Sequence, residues 1–478
     1  MKFLSKTMLL SSVVAIGALC LCACGDDDNY KMKYPPKYDL PDLPVVEGVH
    51  SFKAPMYWSV YEYCWLQERA GVSNENMDIS AEEWDKILDW VATDLKPHGY
   101  DMVCTDGWIP MLAKDGSPYM THYGSMAIKD LVAKAKAKGL KVGIYDNPMW
   151  LHCPNNTKIP GTDITTGSLR YNGVEEVNNP KAEDLWFWWG VATHQGAREW
   201  IDGFFKHYKE LGVDYIRMDF LSWYEDGKDR DMGVVGRGYG RENYARYLAY
   251  IAESAKKYGI FTSLVMPHLY NDAEVEKLYG NMVRIVCDTG DGRWDHVSAK
   301  DRGQSYANWP NCNNQFDGFT YWSHIAGNDK VILDGDFLRL NTLANDNEKM
   351  TSVSLQLMAG GPVTVADQYS TIGDNLRFYT NDELLALNAD RFVGKPLSDV
   401  LNSDGSNVWY GQMTNGDYVV GLFNRDENSK SFDIPLSTLG IEGEMKARDL
   451  WKHADEGAVS SIKATVAAHG CKIVRLSK

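Results

Sequence analysis

Two short apolar runs in this chain each end on an aspartate and each carry an arginine upstream: Tyr215-Ile216-Arg217-Met218-Asp219 and Arg284-Ile285-Val286-Cys287-Asp288. Strand side chains alternate between faces, so Arg217 and Asp219 point the same way, and the carboxylate is presented where the strand meets its loop. In an α/β barrel that carboxyl end is where catalytic groups are gathered. A strand-end aspartate can also do no more than cap the next helix. Repetition of the design argues for chemistry instead. Cleavage of a glycosidic bond needs one carboxylate to attack or stabilise the anomeric carbon and one carboxylic acid to protonate the leaving oxygen. Asp219 and Asp288 are the candidates for that pair, with Asp291 in reserve for the acid and Asp295 read as a loop or helix-start residue.

The elements that must position these residues follow from periodicity. From about residue 50, short apolar strands alternate with amphipathic helices, the pattern of a parallel α/β fold. Ser80-Ala81-Glu82-Glu83 is a capping box, and Trp84, Ile87, Leu88, Val91 and Leu95 follow at helical spacing, with a strand over 102–105 directly after them. The spacing predicts a helix over 128–138 stopped by Gly139 and a strand over 141–145. It predicts a helix over 197–211 feeding the Asp219 strand, and a helix over 244–258 before a strand over 261–265. No glycine-rich phosphate loop follows the first strand, so one closed (β/α)8 TIM barrel over 50–397 is favoured over an open doubly wound sheet. From Val408 the chain turns to strand-like runs separated by Asn-Gly and Glu-Gly turns. This predicts a small C-terminal antiparallel β-sandwich over 398–478 that packs on the barrel.

Composition narrows the partners. Net charge is −16, from 49 basic and 65 acidic residues, which argues against a nucleic-acid partner because nothing here would release counterions from phosphate. Hydrophobic content of 44% supplies packed cores, and 16 Trp with 27 Tyr supply flat faces of the kind on which pyranose rings stack. Lys2 and Lys6 precede an apolar run from Met8 to Leu21, then Leu21-Cys22-Ala23-Cys24 and an acidic triplet from Asp26 to Asp28. This resembles a bacterial lipoprotein signal over 1–23, with Cys24 as the lipidation site and a Pro-rich tether over 24–49. The expectation is a protein of the cell envelope, lipid-anchored to the outer membrane on its surface or periplasmic side, touching membrane only through the anchor. No later segment is apolar enough to span a bilayer. Cys64, Cys104, Cys153, Cys287, Cys312 and Cys471 show no CxxC spacing, and no carboxylate and His cluster has metal spacing, so no metal or other cofactor is expected.

Several short phrases, in order, carry a family resemblance. They are Pro55-Met56-Tyr57-Trp58, Gly99-Tyr100-Asp101 with Thr105-Asp106-Gly107-Trp108, Lys138 to Tyr145, the two aspartate runs, Gly360-Gly361-Pro362, Ala386 to Asp390 with Gly394-Lys395, and Asp449-Leu450-Trp451 with His469-Gly470. From about Ala54 to the C-terminus the chain resembles glycoside hydrolase family 27, the α-galactosidase family of the melibiase clan. The resemblance implies a retaining double displacement with Asp219 as nucleophile and Asp288 as acid/base. Asp219 is expected to stay ionised beside Arg217. Asp288 must be protonated at rest and act as base when water releases the glycosyl-enzyme. Arg217 and Arg284 are expected to fork onto sugar hydroxyls, Asp106 to accept from ring hydroxyls, and Trp108, Tyr145 and Tyr61 to form walls, although Trp108 and Tyr61 could equally be core. Asp146 reads as a turn residue in preference to a partner behind the site. His268 and His296 lie close in sequence but are not expected to be catalysts.

The implied activity is an α-galactosidase-like exo-glycosidase that removes terminal sugars from oligosaccharide or polysaccharide. Within the family the alternatives are isomalto-dextranase or β-L-arabinopyranosidase, and outside it a catalytically silent sugar-binding lipoprotein. Two departures bear on the sugar. Where α-galactosidases have paired aspartates this chain reads Thr105-Asp106, and where many have a Glu for the 2-hydroxyl it reads Val265-Met266-Pro267-His268. Loss of a charged hydrogen-bond acceptor costs roughly 1–3 kcal/mol, enough to change preference. The insertion from Leu151 to about Asp184 is expected to form a rim loop on the leaving-group side.

Overall fold

Eight short parallel strands lie side by side: β1 Met56–Ser59, β2 Met102–Cys104, β3 Lys141–Tyr145, β4 Tyr215–Met218, β5 Phe261–Leu264, β6 Met282–Arg284, β7 Ile332–Asp334 and β8 Val363–Val365. Their order is β7-β6-β5-β4-β3-β2-β1-β8. Closure comes from Leu338, just past β7, which bridges Val365 in parallel, donating to the Thr364 carbonyl and accepting from Ala366 N–H at 2.9 Å each. The computed structural model describes residues 42–171, 188–229, 233–298, 304–306, 309–312 and 314–478. The expected signal, Cys24 and most of the tether lie outside the described residues, as does part of the Leu151 insertion. Among the described residues, no helix is long and apolar enough to cross a membrane.

Strand alternation sorts the barrel into an inside and an outside. Tyr57, Met102, Cys104, Tyr215, Phe261 and Met282 point inward and pack on one another with Ile332. Their neighbours Trp58, Val103, Ile144, Ile216, Met218 and Val283 point outward to the helices. Register then brings polar inward positions level near the carboxyl ends: Tyr145 and Ser263 flank Arg217, and Arg284 pairs with Asp334.

The helices that deliver these strands obey local rules. Ser80 Oγ accepts from Glu83 N–H at 3.1 Å, capping the N-terminus of the helix Ala81–Trp90. The helix Ala197–Leu211 ends on Gly212 at φ 87°, where Gly212 N–H reaches the Lys209 carbonyl and Val213 N–H the Tyr208 carbonyl. That left-handed residue turns the chain straight into β4, and glycine adopts it without a Cβ clash. The helix Gly240–Tyr258 begins four residues before the expected start, because its first turn, Gly240-Arg241-Glu242-Asn243, is polar and carries no apolar stripe. Strands β7 and β8 hold only three residues each, too short for periodicity to register.

The C-terminal region is an antiparallel β-sandwich: β9 Lys395–Pro396, β10 Val408–Gln412, β11 Tyr418–Phe423, β12 Lys430–Pro435, β13 Met445–Asp449, β14 Ala454–Val459, β15 Ser461–Val466 and β16 Cys471–Ser477. One sheet runs β9-β10-β11-β16-β13-β14, and β12 pairs with β15. Alternation in β11 gives each face its own core. Val420 and Leu422 enter the sandwich interior, while Val419 and Phe423 join the barrel's core.

Candidate active site

Asp219 follows the last residue of β4, and Phe220 after it is left-handed at φ 61°. Two donors fix the carboxylate. Phe220 N–H reaches Oδ1 at 2.7 Å, and the Tyr145 hydroxyl, from the end of β3, reaches Oδ2 at 2.9 Å. Asn147 steadies the turn from behind, its side-chain amide donating to the Asp219 carbonyl at 2.8 Å. Burial raises the Asp219 pKa above the usual carboxylate range, Arg284 and then Arg217 pull it back, and the charge of Asp288 pushes it up again. The expected lowering by Arg217 is therefore outweighed by desolvation, and Arg284 is the stronger of the two cations.

Asp288 lies four residues past Arg284, the last paired residue of β6, and its side chain is 49% exposed. Arg284 forms an ion pair with it. Arg284 also acts on Asp219, and the charge of Asp288 is felt there too, so the two aspartates lie near one another at the carboxyl rim. Asp291 is exposed and accepts from the Tyr61 hydroxyl at 3.3 Å. Asp295 falls in the first turn of the helix Trp294–Ser298.

The arginines sit deeper than expected. Arg217 is 3% exposed, 3.5 Å from both Asp334 and Asp336, with its guanidinium 4.5 Å above the Phe337 ring. Arg284 is 3.5 Å from Asp336. Carboxylates of the barrel interior hold both guanidinium groups, and Arg284 reaches the more exposed Asp288 as well. Asp334 and Asp336 were not among the expected site residues. Val331-Ile332-Leu333-Asp334 repeats the design of an apolar run ending on an acid, and that signal could have found them.

Asp106, just past β2, is buried, with Gly107 N–H on Oδ1 at 2.8 Å. Burial raises its pKa to about 7, against the pull of Arg217 and the Gly107 N–H. Thr105 faces elsewhere: it is 1% exposed and its Oγ accepts from Tyr145 N–H at 2.9 Å. Trp108 meets Tyr61 edge-on at 6.0 Å, and Tyr61 leans on Phe337 at 4.9 Å. On the other side Tyr145 meets Trp150 at 6.1 Å, Trp150 meets Phe220 at 6.1 Å, and Phe220 meets Trp223 at 4.5 Å. Trp150 opens the insertion as half of a two-strand pair with Trp188–Trp189. Asp146 is no mere turn residue. It is 2% exposed and accepts from the Tyr208 hydroxyl at 2.6 Å and from Asn147 N–H at 2.8 Å. His268 is buried and paired with Asp226 at 2.7 Å.

Asp106, Asp219, Asp288, Asp334 and Asp336 thus face two guanidinium groups. An excess of carboxylate around one pocket favours a substrate centre that gains positive charge, as the oxocarbenium-like centre of glycoside cleavage does.

Residues 403–476 match the family described as the alpha galactosidase C-terminal beta sandwich domain. The isomalto-dextranase of Arthrobacter globiformis is 37% identical over 442 residues, covering 88% of this chain and 67% of that protein. Its structure complexed with panose matches at a TM-score of 0.80 and 36% identity, covering 91% of this chain and 75% of that one. An alpha-galactosidase of Oryza sativa is 26% identical over 415 residues, covering 84% of this chain and 81% of that protein. The fold is shared with a family 27 β-L-arabinopyranosidase of Geobacillus stearothermophilus at 19% identity and a TM-score of 0.68, covering 89% of this chain and 96% of that one. An acid-rich pocket at the carboxyl rim of a barrel, a matched sandwich and a relative aligned along nearly the whole chain place this protein in glycoside hydrolase family 27.

Proposed function

We propose that this glycoside hydrolase is a retaining exo-enzyme acting on α-linked glucan of the dextran type, as the isomalto-dextranase relative does by its name, with Asp219 as nucleophile and Asp288 as acid/base. The observation that carries the glucan reading is Thr105. Its hydroxyl is engaged by Tyr145 N–H, so Asp106 stands alone where a galactose-specific site would use two acids on the axial 4-hydroxyl and the 6-hydroxyl. A glucose unit, with its 4-hydroxyl equatorial, does not need the second acceptor in that place.

In the first step an oxygen of Asp219 bonds to C1 while Asp288 gives its proton to the leaving oxygen. In the second, Asp288 takes a proton from water, which attacks C1 and frees Asp219. Tyr145 and Phe220 N–H aim the nucleophile, and the surrounding carboxylates stabilise the charge at C1. The α-galactosidase-like activity is the second reading, supported by the retained Asp106 and the motif order.

The test is product analysis on dextran, isomalto-oligosaccharides and nitrophenyl glycosides of α-galactose, α-glucose and β-L-arabinopyranose. Isomaltose from dextran supports the glucan reading. Galactose release without action on dextran overturns it. Asp219→Asn should abolish turnover in either case, and a protein whose sugar affinity is its only property would be indifferent to that change. NMR of the first product formed should show the anomeric configuration of the substrate.

We also infer that Cys24 is lipidated and that the enzyme is held on the outer membrane, which would suit a polymeric substrate too large to enter the cell. Labelled palmitate should enter the intact protein and not Cys24→Ala.

A further inference from the structure

Asp336 touches both halves of the site at once. Its Oδ2 accepts from Thr289 N–H at 2.8 Å and Gly290 N–H at 3.0 Å, the two amides directly after Asp288. Its Oδ1 lies 3.5 Å from Arg217 and 3.5 Å from Arg284. Arg284 in turn pairs with Asp288. Asp336 is 2% exposed and left-handed at φ 70°, a conformation that costs an aspartate free energy and persists where its surroundings over-determine it. Those surroundings are present. Asp336 N–H donates to Asp334 Oδ1 at 2.8 Å, and the next residue, Phe337, packs under Arg217 and against Tyr61. A second stitch joins the same two loops, from the Thr289 hydroxyl to the Gly335 carbonyl at 3.2 Å, while Gln315 donates to Thr289 Oγ at 3.2 Å.

We propose that Asp336 is the positioning residue for the acid/base half of the reaction: through two backbone amides and one arginine it sets where Asp288 stands. The geometry suits that role better than simple charge balance. Neutralising buried arginines needs only a carboxylate nearby, whereas here one of its oxygens is committed to consecutive amides that would otherwise be buried without acceptors. A loop entering at Asp288 and pinned at its next two residues leaves the Asp288 side chain little freedom except rotation about its own bonds. The inference rests on Asp288 being the acid.

Leaving-group dependence separates a displaced acid from a damaged fold. A 2,4-dinitrophenyl glycoside departs without protonation, whereas an alkyl glycoside of the same sugar requires it, and general acid assistance contributes about 100-fold or more. Asp336→Asn keeps the volume and one acceptor oxygen but removes the charge. Its kcat/KM on the alkyl glycoside is expected to fall about 10-fold or more beyond the loss on the dinitrophenyl glycoside, the shared part of the loss being the charge Asp336 contributes around C1. Asp288→Asn is the reference and should show the same selectivity, more strongly. If Asp288→Asn shows no selectivity, the assignment of the acid fails. If Asp288→Asn is selective and Asp336→Asn loses both substrates equally, or neither, the positioning role is overturned. Should Asp336→Asn fail to fold, Asp336→Glu replaces it, retaining charge while shifting the oxygens by one methylene. Selective loss supports the proposal, and wild-type or unselective behaviour overturns it.

Discussion

Tyr145 ends β3 and gives its phenolic hydrogen to Oδ2 of Asp219 at 2.9 Å, so each oxygen of the proposed nucleophile has its own donor. Removing the hydroxyl should therefore cost orientation and charge stabilisation together. Tyr145→Phe is expected to lower kcat/KM by about 10–100-fold, the equivalent of one hydrogen bond to a charged group, with the melting temperature nearly unchanged. The acidic limb of its pH profile should move up, because burial already disfavours the charged form of Asp219 and loss of a donor disfavours it further. Wild-type kinetics in Tyr145→Phe would show that the hydroxyl does not serve the reaction.

The same tyrosine explains a glycine. A Cβ added at Gly107 would lie 2.6 Å from Tyr145 Cε1 and 3.0 Å from its hydroxyl. Since Tyr145 is buried, the methyl group can be accommodated only by pushing the ring away from Asp219. Gly107→Ala should lose activity at least as severely as Tyr145→Phe. Because both act through one contact, the double variant should be little worse than Gly107→Ala alone. Fully additive losses in that cycle would place the effect of Gly107 elsewhere.

How far the site could be read in advance depended on how much chain surrounded each residue. Asp219 was visible because the helix Ala197–Leu211 and its glycine stop announce β4 several residues ahead. Strand parity correctly put Arg217 on the inward face with Asp219. It could not say that the inward face at that depth is barrel interior, where Asp334 and Asp336 claim the guanidinium. Those two acids were missed although Val331 to Asp334 repeats the strand-then-acid design, because β7 is announced by the short helix Gln315–Trp322 and not by a long amphipathic one. Asp146 looks like a turn residue in sequence, and only the arrival of Tyr208 from the helix Ala197–Leu211 makes it a buried partner. Long amphipathic elements were legible; contacts between separate loops were not.

Burial of Asp106 costs stability wherever its carboxyl group is ionised. Burial raises its pKa to about 7, well above the roughly 4 of an unfolded aspartate, so the folded state binds the proton more tightly. Its contribution to stability is then fully present below about pH 4 and lost as pH rises through about 7. Asp106→Asn removes that slope. The variant should gain stability over wild type on the order of 1–3 kcal/mol at pH 8 and much less at pH 5, while losing activity at both. Urea unfolding at the two pH values checks this. A stability difference that is the same at both would mean that Asp106 ionises normally in the folded protein.

The sandwich is tied to the barrel by a buried ion pair. Arg425, just past β11, is 2.8 Å from Asp317, with side-chain exposures of 1% and 0%. The same guanidinium lies 4.4 Å above the Phe316 ring, and its Nε donates to Ser298 Oγ at 2.5 Å. Ser298 closes the short helix that follows the Asp288 loop, and at the other end of that helix Trp294 stacks on His469 of the sandwich at 4.4 Å. Removing one partner of a buried pair leaves the other charge uncompensated, at about 3–5 kcal/mol. Arg425→Ala is expected to destabilise the whole protein by that order, and Arg425→Met combined with Asp317→Asn to recover much of the loss, because neither charge is then stranded. Since the pair lies outside the pocket, the fraction of Arg425→Ala that folds at low temperature should retain a near-normal kcat while inactivating faster on heating. A low kcat at every temperature, with unchanged unfolding, would instead mean that the sandwich acts on the chemistry through the Trp294 helix and not through stability.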